Sequence, residues 1–471
     1  MLDEYVDLAR STVGASRRLG ASFADLRLIR HHGTSLLLQD GRADRLQASH
    51  GVGAGLRVLV EGCWGFAASE HVDRNRLRTA LEEAVDAARA TAPHASEPGV
   101  AADIGPVEAS EESPCQEDPR GVAIGEKVKR LLALEQAARK QFSSQLVNTI
   151  VAYGDVVTEE LIANSLGSCI QRQIVRSSVN THITAAEGRQ RQRGAETRAA
   201  LAGYELLRDL EPEEFTLRAA QRAVDLLSAQ PAPAGVFPVV FHPSITGLLT
   251  HEALGHNAEA DGVWSGESIL TGRLGEEIAS PAVTIVDDPT VPGLYGSYAY
   301  DDEGTPAQRT VIIDRGRLTN YLHDLQSAAR LTHTPNGHGR ADGFAYPPIV
   351  RMSNTFLAPG ESSFEELLEG IDQGVYLAQG QWGYVFVEKG HFTCHASVSR
   401  MIENGKLGEL LRDVSVSGLT LEVLRDIDAV GSDLEMLMPG TCGKGGQAAP
   451  INAGGPHVRV RRLLVGGRRS K

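Results

Sequence analysis

The residues best suited to chemistry lie in one short segment, His251-Glu252-Ala253-Leu254-Gly255-His256. Two imidazoles beside a carboxylate are typical of a divalent metal site in which the carboxylate is the general base. Here the histidines are at positions i and i+5, which a regular α-helix would set roughly 140° apart. One ion could not bind both rings in that geometry. We therefore predict that the helix widens or unwinds near Gly255, where glycine permits a π-bulge.

The expected ion is zinc, one per chain, because imidazole suits zinc and the ion needs no redox partner. Glu252 would then act on water as the catalytic base. A catalytic zinc takes a third protein ligand, and the sequence offers three candidates for it. Glu259 and Asp261 follow the helix directly, and Cys442 lies far along the chain among the glycines of 439–446. Those glycines predict a flexible loop that could bring Cys442 to the ion.

A few other polar residues are weaker candidates. Tyr298, Asp301 and His338 could line a substrate cleft, with His338 as a donor to an oxyanion, although tyrosines at alternate positions are also usual in strands. The neighbouring Cys394 and His395 are expected to be structural, because no motif surrounds them. The sequence therefore predicts no further catalytic group with the clarity of the His-Glu segment.

The elements that must position these groups begin with a region at 1–230 in which helical and strand-like periodicities alternate. Asp40-Gly41 is typical of a tight hairpin turn. A stretch rich in Pro, Ser and Glu at about 93–120 predicts a linker or a long surface loop. The predicted helices cover about 3–18, 76–92, 125–140 and 213–228, and the predicted strands include 147–157 and 168–184.

The main predicted boundary is Pro231-Ala232-Pro233-Ala234-Gly235, because two prolines and a glycine cannot continue a helix. From 236 to 471, short β-type runs dominate, and Asn404-Gly405 favours a hairpin turn. The sequence therefore predicts an α+β protein. Its N-terminal α/β region would precede a β-rich C-terminal domain that carries the His-Glu helix.

Composition narrows the classes of function. The 471 residues include 46 basic and 60 acidic side chains, a formal net charge of −14, which disfavours nucleic acid as a direct ligand. The basic residues from Arg459 to Lys471 are expected to form the solvated face of a strand. We expect a cytoplasmic protein without membrane contact. The five cysteines are scattered and form no Cys-x-x-Cys pair. The start of the sequence is acidic, and no apolar run reaches about 20 residues.

Several blocks resemble, in order and over nearly the whole chain, those of the TldD/PmbA family of metalloproteases. The resemblance is carried first by the segment from His251 to Asp261. The other blocks are Trp64-Gly65-Phe66-Ala67, Gly296-Ser297-Tyr298, Asp301-Asp302-Glu303-Gly304-Thr305-Pro306, Gln308-Arg309-Thr310, Arg351-Met352-Ser353-Asn354-Thr355, and Cys442-Gly443-Lys444 with Gly446-Gln447.

The resemblance implies a zinc site formed by His251, His256 and Cys442, with Glu252 as the base. It also implies the TldD-like, metal-bearing branch, whose subunits cleave unfolded peptides, including leader peptides and small antitoxins. The expected partner is a TldE/PmbA-like subunit in a heterodimer, or a second copy in a homodimer. The expected function is a zinc-dependent peptidase subunit acting on unfolded or small peptides, or on a specialised peptide conjugate.

Two alternatives remain. The chain could be a non-catalytic peptide-binding subunit of such a heterodimer, which the intact Glu252 disfavours. It could instead be a thiol hydrolase that uses Cys442 with a histidine, although no cysteine-protease context surrounds this cysteine. The sequence departs from the family pattern at Ala258, Ala260 and Val398, and these changes are expected to affect substrate choice rather than metal binding.

Overall fold

The protein is described here by a computed structural model of residues 1–466, which has a mixed α+β fold, as the sequence predicts. It contains a seven-stranded, a six-stranded and an eight-stranded sheet, and a two-stranded ladder. The division into domains at 231–235 stays a prediction. Arg468, Arg469 and Lys471 of the predicted basic face lie outside the described residues. Within 1–466, no helix combines the length and the apolar character needed to cross a bilayer.

The first half forms the seven-stranded sheet and the helices that pack on it. Its strands are β1 (Ala21–Gln39), β2 (Arg42–Val60), β3 (Cys63–Ser69), β4 (Glu108–Glu112), β5 (Leu146–Asn164), β6 (Cys169–Glu187) and β7 (Gln190–Ala200). Its helices are α1 (Val6–Ala15), α2 (Arg74–Thr91), α3 (Ile124–Gln141), α4 (Glu205–Arg208) and α5 (Thr216–Asp225), with short 3-10 helices at Asp3–Tyr5, Ser16–Leu19, Ala92–His94, Pro119–Gly121 and Pro212–Glu214. The strand order is β3-β2-β1-β5-β6-β4, and β7 pairs with β6.

Local sequence accounts for most of these elements. Asp40 and Gly41 have φ angles of 52° and 76°, as the two-residue turn between β1 and β2 requires. Asp73 caps the start of α2, because its carboxylate accepts hydrogen bonds from backbone N–H groups in the first turn of that helix. The predicted linker at 93–120 is partly wrong, because β4 lies within it and pairs in parallel with β6. Backbone pairing at a sheet edge needs no apolar periodicity, so this strand leaves little signal in the sequence.

The second half is mainly β, as predicted, and its helices are short. Its strands are β8 (Gln230–Pro231), β9 (Gly235–Phe241), β10 (Ile285–Asp287), β11 (Thr310–Asp314), β12 (Arg317–Leu318), β13 (Gly339–Arg340), β14 (Ile349–Val350), β15 (Asn354–Leu357), β16 (Gln373–Phe386), β17 (His391–Glu403), β18 (Lys406–Arg412), β19 (Val414–Leu419), β20 (Ile427–Val430), β21 (Glu435–Lys444), β22 (Gln447–Gly455) and β23 (Val458–Gly466). Its helices are α6 (Pro243–Leu248), a π-helix (Leu249–Gly255), α7 (His256–Ala258), α8 (Ala260–Ser265), α9 (Leu325–Leu331), α10 (Phe364–Leu368) and α11 (Thr420–Asp426), with a 3-10 helix at Val387–Lys389.

The helix that carries the histidines lies between the two large sheets of this half. It follows β9, and His242 caps it by accepting a hydrogen bond from the backbone N–H of Ser244. α6 contacts β16 of the eight-stranded sheet and β21 and β22 of the six-stranded sheet. The contact with β22 is close, since a Cβ atom on Gly247 would lie 2.8 Å from the backbone nitrogen of Gly454. The helix is therefore held on two sides by strands.

Buried ion pairs join the first sheet to the second half. Arg57 on β2 pairs with Asp25 on β1 and, at 2.7 Å, with Glu303 in the segment between β10 and β11. Arg172 on β6 pairs with Asp302 of the same segment. Glu303 has no solvent-exposed surface, and burial raises its pKa to about 8 although Arg57 opposes the rise, so its charged form depends on Arg57. The Asp302-Glu303 block therefore has a structural role at the contact between the two halves.

Replacing Arg57 with Met should lower the free energy of unfolding by about 3–5 kcal/mol, because Asp25 and Glu303 would remain buried without their cation. Urea denaturation of the variant and the wild type measures the change. Arg78→Met is the control, since Arg78 pairs with Glu82 at 3.8 Å on an exposed helix face and should contribute less than about 1 kcal/mol. Equal effects of the two substitutions would contradict the role given to Arg57.

Candidate metal centre

The helix departs from α geometry at the predicted place. Leu249–Gly255 forms a π-helix, and α7 continues from His256. The wider turn brings the imidazoles of His251 and His256 to the same side, with their ring centroids 5.1 Å apart. The local distortion that the i, i+5 spacing predicts is therefore confirmed.

Gly255 has a different role from the one that the sequence suggested. Its φ and ψ angles of −54° and −50° are those of an ordinary right-handed helix, so the π-turn does not use glycine's wider conformational range. Instead, a Cβ atom at this position would lie 2.0 Å from the Sδ atom of Met352. Glycine is needed here because the Met352 side chain packs directly on the helix backbone.

Cys442 is the third member of the cluster. Its Sγ atom lies 3.3 Å from Nε2 of His256, although the two residues are 186 positions apart in the chain. The possible ligand atoms of His251, His256 and Cys442 all lie within 4.8 Å of one another. Within residues 1–466, this is the one group of three or more His, Cys, Asp or Glu residues that meets that spacing.

Cys442 lies in a strand and not in the flexible loop that the glycines predict. It pairs with Ala449 in the antiparallel hairpin of β21 and β22. Gly445 and Gly446 form the turn of this hairpin, and both have positive φ angles, of 57° and 75°. The glycines near Cys442 therefore serve a tight turn, and the cysteine is held by a paired strand.

These three side chains fit a bound metal ion. Nδ1 of His251 is buried and has no hydrogen-bond partner within the described part of the chain, which is unusual for a polar atom unless something else binds there. Burial raises the pKa of the Cys442 thiol, but the nearby imidazoles of His251 and His256 outweigh it and lower the pKa to about 5. Two imidazoles and a thiolate form a donor set suited to a soft or borderline divalent metal.

Glu259 and Asp261, the other candidates for the third ligand, have partners of their own. Oε2 of Glu259 accepts a hydrogen bond from Nδ1 of His256 at 3.0 Å and lies 3.2 Å from Nζ of Lys444. Asp261 binds the same ammonium group with both carboxylate oxygens, each at 2.7 Å. Burial alone would raise the pKa of Glu259, but Lys444 and His256 lower it to about 2. Both carboxylates therefore surround the cluster without joining it.

Arg351, which sequence reasoning placed only within a similar block, supports the same hairpin. Its guanidinium is almost fully buried and donates to the carbonyl oxygens of Cys442 at 2.6 Å and Gln447 at 3.0 Å. The same side chain lies 3.8 Å from Glu259. A single buried cation thus links the ends of β21 and β22 to the residues that follow the π-helix.

Glu252 belongs to the π-helix and faces β16, where a Cβ atom on Gly383 would lie 3.2 Å from its Cγ atom. Burial raises the pKa of Glu252, and His251 and His256 partly oppose this. A carboxyl group with a raised pKa exchanges protons more readily near neutral pH. Glu252 is therefore placed to act as an acid–base group beside the cluster.

A cavity of about 750 Å³ opens onto these groups. Glu252 and the three members of the cluster line it together. The apolar part of its wall includes Leu248, Val385, Val387, Met438 and Ile451, and charged residues around it include Glu267, Glu388 and Lys389. The cavity could accept a peptide segment with its reacting bond near Glu252.

The weaker candidates from the sequence do not line this cavity. Tyr298 donates its hydroxyl hydrogen bond to the carbonyl oxygen of Gly337 at 2.8 Å. Asp301 accepts hydrogen bonds from backbone N–H groups, and the fully buried His338 lies 3.0 Å from the carboxylate of Asp287. The expectation that these residues line the cleft is therefore corrected, because their polar atoms satisfy buried groups elsewhere.

Cys394 and His395 lie on β17 near the same helix. Burial raises the pKa of the Cys394 thiol, which keeps it unreactive. His395 stacks on Trp382 with their ring centroids 4.0 Å apart. These contacts agree with the structural role expected for the pair.

Comparisons with known proteins cover most of the chain. Models of the PmbA/TldA metallopeptidase match residues 24–92 (domain 1), 117–227 (central domain) and 234–467 (C-terminal domain). A metalloprotease from Methanothermobacter thermautotrophicus is 39% identical over 94% of this chain and 95% of its own length. A metalloprotease TldD homolog from Haemophilus influenzae is 30% identical over 94% of this chain and 93% of its own length.

A solved structure shares the fold. The crystal structure of TldE from Thermococcus kodakarensis superposes with a TM-score of 0.75 and covers 98% of this chain and 99% of that chain. The two sequences are 20% identical, so this comparison supports the fold alone.

Gly255→Ala should destabilise the protein by about 1–3 kcal/mol, because the new methyl group would overlap Met352. Gly125→Ala is the matched control, since Gly125 also lies in a helix and a Cβ atom there meets nothing within 4 Å. Thermal denaturation should show a lower melting temperature for the first variant only. In the double variant Gly255→Ala/Met352→Ala, the shortened neighbour should relieve the overlap, so the loss of stability should be smaller than the sum of the two single losses. Simple addition of the two single losses would count against direct contact.

The ionisation of Cys442 can be measured directly. In protein treated with a chelator, the ultraviolet absorbance of thiolate should rise with an inflection near pH 5, whereas a free cysteine titrates near about 8.5. The acidic inflection should be absent from Cys442→Ser. A wild-type titration that shows only alkaline inflections would contradict the thiolate assignment.

Proposed function

The chain belongs to the PmbA/TldD metallopeptidase family, and from that premise we propose that it is a zinc-dependent peptidase subunit in which Glu252 is the catalytic base. Its proposed substrates are unfolded or small peptides, such as leader or antitoxin-like segments, or a specialised peptide conjugate. The observation that carries the proposal is the convergence of His251, His256, Cys442 and Glu252 on one cavity.

Zinc is the proposed ion, with His251, His256 and Cys442 as its ligands. Three protein ligands from histidine and cysteine are typical of catalytic zinc, which leaves one position for reactants. Zinc also needs no redox partner, as suits a hydrolytic reaction. When bound, the ion would supply Lewis acidity, which polarises the substrate carbonyl and makes water a better nucleophile.

The protein's own groups would manage the protons. Glu252 would take the proton from the attacking water and deliver it to the leaving amine. The raised pKa that burial gives Glu252 favours the first step, because the conjugate base of a weaker acid takes a proton from water more readily. General acid–base catalysis of this kind contributes about 10²–10⁴-fold to the rate.

Two strand edges beside the cavity support an extended peptide as the substrate. β21, which carries Cys442, is the last strand of the six-stranded sheet. In the described residues, β9 covers the outer edge of β16 only at Val375–Leu377, whereas Gly383 to Val387 line the cavity. An extended peptide could add to either edge through main-chain hydrogen bonds, which read little side-chain identity. Unfolded or small peptides offer such a segment more readily than folded proteins, in which most backbone groups are already paired.

The proposed assembly pairs this chain with another subunit of the same fold. The sequence resembles the metal-bearing, TldD-like branch, and TldE from Thermococcus kodakarensis has the same fold. We therefore propose a TldE/PmbA-like partner in a heterodimer, with a homodimer as the alternative assembly. Co-purification from the native cell distinguishes the two.

One observation favours a second candidate, a thiol hydrolase. Sγ of Cys442 lies 3.3 Å from His256, as in a thiolate–imidazolium pair. Burial lowers the pKa of His256, but Glu259 and Cys442 outweigh it and raise the pKa to about 10. The thiol-hydrolase mechanism is the weaker candidate, because it assigns no role to Glu252 or to the unpartnered nitrogen of His251.

Metal content and peptide cleavage test the proposed function together. Wild-type protein should contain one zinc per chain, and it should cleave an unfolded peptide library in a reaction that a chelator stops. Glu252→Gln should keep the zinc and lose about 10²–10⁴-fold in turnover, whereas Cys442→Ser should lose the zinc. Glu365→Gln, at an exposed helix position, is the control and should match the wild type.

The two candidates differ in their responses. Chelator-resistant cleavage that is lost in Cys442→Ser would support the thiol hydrolase. Wild-type turnover by Glu252→Gln would contradict the assigned base. A zinc-bearing protein whose isolated chain cleaves nothing, but which gains activity with a co-purified partner, would support the heterodimer.

A further inference from the structure

Resting on the proposed zinc site, we propose that Lys444 is a positioning residue for the metal centre. Through Glu259 it holds the strand that carries Cys442 against the helix that carries His256, and it fixes the orientation of the His256 ring. Lys444 contacts none of the three proposed ligands directly, so its effect passes through the carboxylate.

The first step of this argument is the position of Lys444 on its strand. Cys442 and Lys444 are two residues apart on β21, and alternate residues of a strand point to the same face. The thiol therefore meets His256 while the ammonium group meets Glu259, at 3.3 Å and 3.2 Å. Nζ of Lys444 also lies 3.0 Å from the carbonyl oxygen of Val350.

The second step is the hydrogen bond between Glu259 and His256, which is 3.0 Å long. A carboxylate can only accept, so the proton of the imidazole stays on Nδ1 and Nε2 points at Cys442. Second-layer carboxylates of this kind orient a metal-binding histidine and make it a stronger ligand. The contacts Cys442–His256–Glu259–Lys444 thus form a closed ring with strand β21.

The third step is burial. The Glu259 side chain is 2% exposed and that of Lys444 is 25% exposed. A buried carboxylate is stable only beside a cation or several donors. Without Lys444, the nearest remaining cation is Arg351, whose contact with Glu259 is longer, at 3.8 Å. Loss of Lys444 should therefore let Glu259 turn away from His256 and let β21 move from the helix.

The test uses the full-length protein loaded with zinc or with cobalt. Lys444→Met should weaken zinc binding by about 10–100-fold, the usual effect of losing a second-layer partner, as measured by competition with a chelator. The visible spectrum of the cobalt-loaded protein should also change, because it reports the angles and distances of the ligands. Lys444→Arg, which keeps the charge, should recover most of the affinity.

A matched control and a second variant separate positioning from general stability. Lys406→Met, at an exposed position that starts β18, should bind zinc as the wild type does. Glu259→Gln keeps an oxygen that can accept from His256 but removes the charge that Lys444 binds. It should weaken binding in the same direction, and it serves as the test if Lys444→Met does not fold. The double variant should be no weaker than Lys444→Met alone, because that substitution already breaks the link to Glu259 together with the ion pair to Asp261.

Unchanged zinc affinity and an unchanged cobalt spectrum in Lys444→Met or Glu259→Gln would overturn the inference while the zinc peptidase stands. Losses that multiply in the double variant would overturn the shared link. A wild-type protein that binds neither metal would overturn the proposed zinc site and this inference together.

Discussion

The structure depends on one contact, between the histidine-bearing helix and the hairpin that carries Cys442. Its two sides are 186 residues apart in the chain, so no local preference can bring them together. The contact needs a wide helical turn, so that His251 and His256 share a side. It also needs a close approach of the helix to the backbone of β22, which explains glycine at 247, and at position 255 glycine leaves room for the side chain of Met352. These glycines permit packing distances that any side chain would prevent.

Buried charge is used in the same way at two places in the molecule. Glu303 meets Arg57 where the halves of the chain touch, and Glu259 meets Lys444 beside the proposed metal site. Each carboxyl group is almost without solvent, so its charged form is stable only while its cation stays in place. Such pairs add little net stability compared with apolar packing, but they strongly oppose any arrangement that separates the partners. They therefore define where segments from distant parts of the chain must lie.

The sequence predicted most of what depends on neighbouring residues. The α+β class, the turn at Asp40-Gly41 and the distorted helix between His251 and His256 all follow from local patterns. The choice among Glu259, Asp261 and Cys442 could not be predicted from spacing, because it depends on the pairing of β21 with β22. Lys444 was placed only within a similar block, and its role gave no signal, since a single lysine has no pattern. Tyr298, Asp301 and His338 were misjudged because a polar side chain looks the same in a cleft and in a buried network.

The register of the β21–β22 hairpin has a consequence for errors in folding. Cys442 and Lys444 share one face of β21, so a slip of one residue would turn both away and present Thr441 and Gly443 instead. The thiol and the ammonium group would be lost together, with no intermediate arrangement that keeps one of them. A misfolded hairpin would therefore give a protein with no proposed metal site, rather than one with altered selectivity.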